Sequence, residues 1–148
     1  MTESPESLQD TTLDREAGAK QPVREGSGAD GRSLALKIAQ VADDLKAQDI
    51  VLINVADAVG YADYFVVCTG NTDRQVKAIH DNVLQVVKDD LRVIPKRAEG
   101  VTEARWILLD YLDVVLHVFT PDARDFYRLD RLYGDVPSEP YGSEPARG

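Results

Sequence analysis

Trp106, Asp110, Asp113 and His117 crowd into one short stretch, and each has a chemistry to offer. A pair of carboxylates near strand ends can hold a divalent cation for phosphoryl or nucleotidyl transfer, which makes Asp110 and Asp113 a candidate metal pair. The plainer reading is that Asp113 is a turn residue, because Asp supports turns by bonding nearby backbone. Asp110 sits between apolar neighbours and needs more explanation. His117 can bond a buried Asp, but no nucleophile completes a catalytic set. No serine occurs between Ser33 and Ser138. Trp106, with Leu108 and Phe119 near it, has the composition of an interface core. The competing reading packs Trp106 under the Glu99–Gly100 loop.

These residues are positioned by Arg105 to Thr120, which reads as two strands around a tight reversal at Leu112-Asp113. If Tyr111 faces Val114, Asp110 pairs with Val115, Leu108 with His117 and Trp106 with Phe119. Side chains alternate between the two faces of a strand. Ile107, Leu109, Tyr111, Val114, Leu116 and Val118 then form an apolar face. Trp106, Leu108, Asp110, Val115, His117 and Phe119 form the other.

The chain has 148 residues, room for one domain with one sizeable core. It carries 26 Asp+Glu against 17 Lys+Arg. An acidic chain without a basic run is a poor candidate for binding nucleic acid through phosphates and suits a basic protein partner better. The single Cys, Cys68, lies in an apolar run and reads as a small buried hydrophobe, not as part of a disulfide or metal site. No apolar run approaches the ~20 residues of a membrane span, and no signal pattern opens the chain. A cytoplasmic protein that does not engage a membrane is expected.

Residues 1–32 read as a disordered acidic tail and residues 134–148 as a second disordered tail. The domain between them, 33–133, opens with a helix from Ser33 to Ala47, with Ser33 as N-cap. Strands follow at Ile50–Val55 and Asp63–Thr69, the second apolar on both faces and so interior. A capping box of Thr72 and Gln75 starts the next helix, whose buried stripe is Val76, Ile79, Val83, Val86 and Val87. An anion at this N-terminus is the less favoured alternative. His80 reads as a solvent-edge histidine. Val93 to Arg97 is a short extended piece before the hairpin. Thr120, Pro121 and Asp122 open a last helix with Phe126 and Leu129 on its buried side, ended by Gly134. The fold expected is α/β (α+β): a single mixed five-stranded sheet, with helices mainly on its apolar side and the Trp106 face partly open.

Read in order, several segments resemble the ribosomal silencing factor, or Iojap, family. They are Asp63-Tyr64-Phe65-Val66-Val67, Thr69-Gly70, Arg74-Gln75-Val76, Glu99-Gly100, Trp106-Ile107-Leu108-Leu109-Asp110-Tyr111, Asp113-Val114-Val115-Leu116-His117-Val118-Phe119 and Phe126-Tyr127-Arg128-Leu129. The resemblance covers about Leu34 to Tyr133. It implies a nucleotidyltransferase-like fold without catalytic activity or cofactor. It also implies a translation repressor, often a homodimer when free, that binds ribosomal protein number fourteen of the large subunit. In the family this blocks joining of the small and large subunits when nutrients are short. Carried over by position, Trp106 and Leu108 would anchor the partner. Asp110, His117 and Glu99 would be polar contacts, and Tyr111 a contact only if the turn shifts it. The family usually has Gly where this chain has Leu112. Leu resists positive φ, so a longer or looser turn is expected. Two rival readings remain: a metal-dependent nucleotidyltransferase using Asp110 and Asp113, and a dimeric scaffold that buries Trp106 between copies.

Overall fold

The computed structural model describes residues 24–25 and 31–142. The elements are β1 (Arg24–Glu25), α1 (Gly31–Asp44), β2 (Gln48–Asn54), α2 (Ala56–Val59), β3 (Tyr64–Thr69) and α3 (Asp73–Leu91). Then come β4 (Val93–Ile94), β5 (Arg97–Glu99), β6 (Trp106–Asp110), β7 (Val114–Phe119), α4 (Pro121–Tyr127), α5 (Leu129–Leu132) and β8 (Ser138–Tyr141). One mixed sheet has the order β5-β6-β7-β3-β2-β8, and β1 pairs with β4 in a separate two-stranded ribbon. Within the large sheet β3 and β7 run parallel, and the other neighbours are antiparallel.

Alternation sets the hairpin as expected, with Trp106 opposite Phe119, Leu108 opposite His117 and Asp110 opposite Val115. A slip of one residue would turn the whole apolar set to the wrong face, so the register is strongly specified. The looser turn expected at Leu112 does not occur. Tyr111 N–H donates to the Val114 carbonyl at 2.8 Å, and Asp113 N–H to the Tyr111 carbonyl at 2.9 Å. Leu112 takes φ +76 to allow this. The Asp110 carboxylate accepts the Leu112 N–H at 2.8 Å, which holds the reversal closed. The turn is a three-residue γ-turn with a left-handed centre, a strained form for an L-residue.

The core lies on both sides of the sheet. Ile107, Leu109, Tyr111, Leu116 and Val118 pack with Leu52, Val66 and Cys68 under α1 and α3. Ile53, Phe65, Val67, Val115 and Phe119 form a second cluster with Ala123 of α4, joined by Leu129 and Tyr133. Cys68 is fully buried, and burial pushes its thiol up to about 12, so it is an inert core residue at neutral pH. The start of α3 is capped as read: Thr72 Oγ1 accepts Gln75 N–H at 3.1 Å. Gln75 returns its own oxygen to Asn71 N–H at 2.6 Å and donates to the carbonyls of Leu45 and Lys46. That side chain ties α3 to the end of α1, and the Asn71 and Gln75 N–H groups are taken by these capping bonds.

Several expectations need correcting. The sheet has six strands rather than five, because β8 adds to the β2 edge inside the segment read as a tail. Ser-Glu-Pro-Tyr has no apolar alternation to announce a strand. It is held by backbone pairing and by Glu139, which accepts from Arg32 at 2.7 Å. Pro140 is tolerated there because β8 is an edge. The N-terminal boundary also moves: α1 begins at Gly31, ahead of Ser33, and Arg24–Glu25 form β1. Residues 1–23, 26–30 and 143–148 of the two tails lie outside the described residues. His80 is buried, not at the solvent edge, with Nδ1 2.8 Å from Asp81. Phe126 is 77% exposed rather than buried.

Leu112→Gly removes the left-handed penalty while keeping the turn. It should stabilise the fold by about 1 kcal/mol, read as a raised denaturation midpoint with an unchanged slope.

Candidate docking site at the Trp106 face

Trp106 is placed by the last long strand pair and braced by α4. Its ring stacks on Phe119 with centroids 5.0 Å apart and meets Tyr127 at 4.5 Å. Such pairs add about 0.5–1.5 kcal/mol each beyond area burial. Gly100 lets the preceding loop pass close to the strand. It has φ +80, and a Cβ there would collide with the Trp106 carbonyl oxygen. The Gly100 loop, Arg105, Trp106, Ala123, Phe126 and Tyr127 line an open cleft of about 550 Å³. The Trp106 ring packs in the second cluster, yet it stays half-buried and lines the cleft.

The indole Nε1–H donates to His117 Nδ1 at 3.1 Å. Nδ1 is therefore the acceptor, and the ring proton belongs on Nε2. That nitrogen is buried without a hydrogen-bond partner among the described residues. Phe65 meets the imidazole edge-on at 4.9 Å, and Phe119 stacks at 6.3 Å. Burial pushes His117 down to about 4, with the Asp110 charge opposing. At neutral pH it is an uncharged acceptor that fixes the indole. Its burial keeps it from meeting a partner directly.

Asp110 is divided between two tasks. One oxygen accepts Leu112 N–H, and the other accepts Arg97 Nε at 3.3 Å. Arg97 also pairs with Glu99 at 3.2 Å, so Glu99, Arg97 and Asp110 form a charged border along β5 and β6. Asp113 is held above the usual carboxylate range by burial and then by the Asp63 charge. Asp110 thus spends its oxygens on the turn and on Arg97 rather than facing Asp113 across a cation. No cluster of three or more His, Cys, Asp or Glu that could hold a metal occurs among the described residues.

The sequence-named residues therefore separate into three groups. Trp106 and Leu108 are half-buried and reachable, and Asp110 and Glu99 rim them. His117 supports from beneath. Tyr111 is fully buried on the opposite face, its hydroxyl without a partner among the described residues, so it belongs to the core. Sequence reasoning missed Phe126 and Tyr127, 77% and 50% exposed. The signal was an aromatic pair at the end of a short helix with only one apolar side to bury. The face thus combines an aromatic floor with a charged border along β5 and β6.

The depressed His117 has a defined pH consequence. The unfolded chain takes up a proton near pH 6.5 that the folded chain refuses until about pH 4, so stability falls as pH drops through that window. The loss should reach about 2 kcal/mol between pH 7 and pH 5. His117→Gln, which keeps an acceptor but does not titrate, should lack this component in denaturant unfolding at the two pH values.

Residues 28–147 match the family described as ribosomal silencing factor during starvation. The chain is 45% identical over 103 residues to the ribosomal silencing factor RsfS of Bacillus subtilis, spanning 69% of this chain and 86% of that one. It is 33% identical over 124 residues to the chloroplastic protein Iojap of Arabidopsis thaliana, covering 82% of this chain and 51% of that one. A crystal structure of a Chromobacterium violaceum protein superimposes with a TM-score of 0.69 at 29% identity, over 81% of this chain and 95% of that one. A Bacillus halodurans structure gives 0.60 at 37% identity, over 70% and 94%. With the family matched across nearly all of its folded part, this chain belongs to the ribosomal silencing factor family.

Proposed function

We propose that this protein represses translation by binding the large ribosomal subunit through its ribosomal protein number fourteen. The bound factor then occupies the surface where the small subunit would dock. The observation that carries this reading is the half-exposed Trp106, in contact with Tyr127 at an open cleft, on a chain of net charge −9. An aromatic centre on an acidic chain suits a basic ribosomal protein, since desolvated aromatics carry binding energy and net charge steers encounter. The chain acts without turnover or cofactor, works in the cytoplasm, and pairs with a second copy when free. The curated relatives carry the name ribosomal silencing factor, which supports the reading.

Two variants test it. Trp106→Ala should weaken binding to purified large subunits by ~2 kcal/mol or more, roughly thirtyfold. Because it also strips His117 of its donor, Tyr127→Ser serves beside it as a solvent-side change. Co-sedimentation with separated subunits reads both, and a subunit-joining assay reads the consequence. Large-subunit binding lost in both folded variants supports the proposal. Wild-type binding to neither subunit contradicts it.

A further inference from the structure

The α4–α5 junction has a second flank that the docking face does not use. Arg128 ends α4 and begins α5 with φ +50, so the chain kinks there. Arg124, Arg128 and Arg131 fall one helical turn apart in sequence, and all three line one open cleft of about 450 Å³. Gln48, Asp49, Thr69, Pro121 and Asp125 complete the lining. Arg124 is fixed in place, its Nη1 donating to the Asp49 carbonyl at 2.7 Å and to Thr69 Oγ1 at 2.8 Å. Arg128 is more adjustable. Its partner Asp125, at 3.0 Å, is 80% exposed, and Arg128 itself is 47% exposed. An ion pair so open to water is held weakly and yields readily to a better anion. Three guanidinium groups against two carboxylates leave this cleft cationic on a chain of net charge −9. Guanidinium forks match phosphate oxygens two at a time.

We propose that this cleft grips backbone phosphates of ribosomal RNA. The inference rests on the large-subunit reading above. α4 brings Phe126 and Tyr127 to the Trp106 cleft and Arg124 to the arginine cleft, where the junction adds Arg128 and α5 adds Arg131. The α4–α5 segment thus contacts a ribosomal protein with one flank and the RNA beside it with the other. This revises the expectation, drawn from net charge, that nucleic acid is not touched. A local cationic cleft acts at short range, because solution salt screens distant acids beyond about 8–10 Å.

The test compares wild type with R128Q/R131Q, both exposed positions, leaving Arg124 to its backbone bond. Affinity is measured for whole large subunits across a salt series and for purified ribosomal protein number fourteen alone. The double variant should bind whole subunits roughly tenfold more weakly near 0.1 M salt, with a log–log salt slope shallower by about one to two. It should bind the isolated protein as wild type does. An unchanged affinity and slope on whole subunits would overturn the RNA contact while leaving the docking reading intact. An equal loss on the isolated protein would also overturn it, by assigning the arginines to protein. Failure of wild type to bind subunits at all would remove both.

Discussion

The register of the β6–β7 hairpin is the constraint on which the rest depends. A strand has two faces and a period of two, so one residue of slip would bury Trp106, Asp110 and His117 under α1 and α3 and expel Leu109 and Leu116. The tight turn prevents this. The Asp110 carboxylate closes it over the Leu112 N–H, and Leu112 accepts a left-handed conformation to complete it. Asp110 therefore sets the register as well as bordering the face. Its second oxygen, on Arg97, joins the turn to the neighbouring edge strand.

From that register the Trp106 face assembles with little freedom. His117 lands opposite Leu108 and beside Phe119, where it is buried and neutral. Its Nδ1 then accepts the indole N–H of Trp106 and fixes the ring angle. The cost is a buried N–H at His117 Nε2 without a partner among the described residues, a group that ordinarily penalises a fold by about 1–3 kcal/mol. A site that must present a large aromatic ring in one orientation gains from such support, because less freedom is lost on binding.

Much of this was legible from the residues. Strict alternation in 106–119 gave both faces and the pairing of every residue from Trp106 to Asp110, and Thr72 with Gln75 announced the start of α3. Other features left no readable mark. β8 is a strand because β2 offers an open edge, and nothing in Ser-Glu-Pro-Tyr foretells it. Phe126 looked like part of the inner side of the last helix, and Tyr127 beside it drew no reading of its own. Ala123 in fact fills that position, so the aromatics turn toward solvent and Trp106. Tyr111 could be assigned to the core by face alone, and the structure keeps it there. The arginine cleft was invisible in a count of charges, since it depends on a kink at Arg128 that brings separated residues to one hollow.

The central claim is that the Trp106 face is where the ribosome is met. The most direct measurement is a cryo-electron microscopy structure of this protein bound to purified large subunits. The account predicts Trp106 and Tyr127 buried against ribosomal protein number fourteen, on the side of the large subunit that the small subunit would cover. A bound factor whose Trp106 cleft faces solvent, or one seated away from that surface, would contradict it.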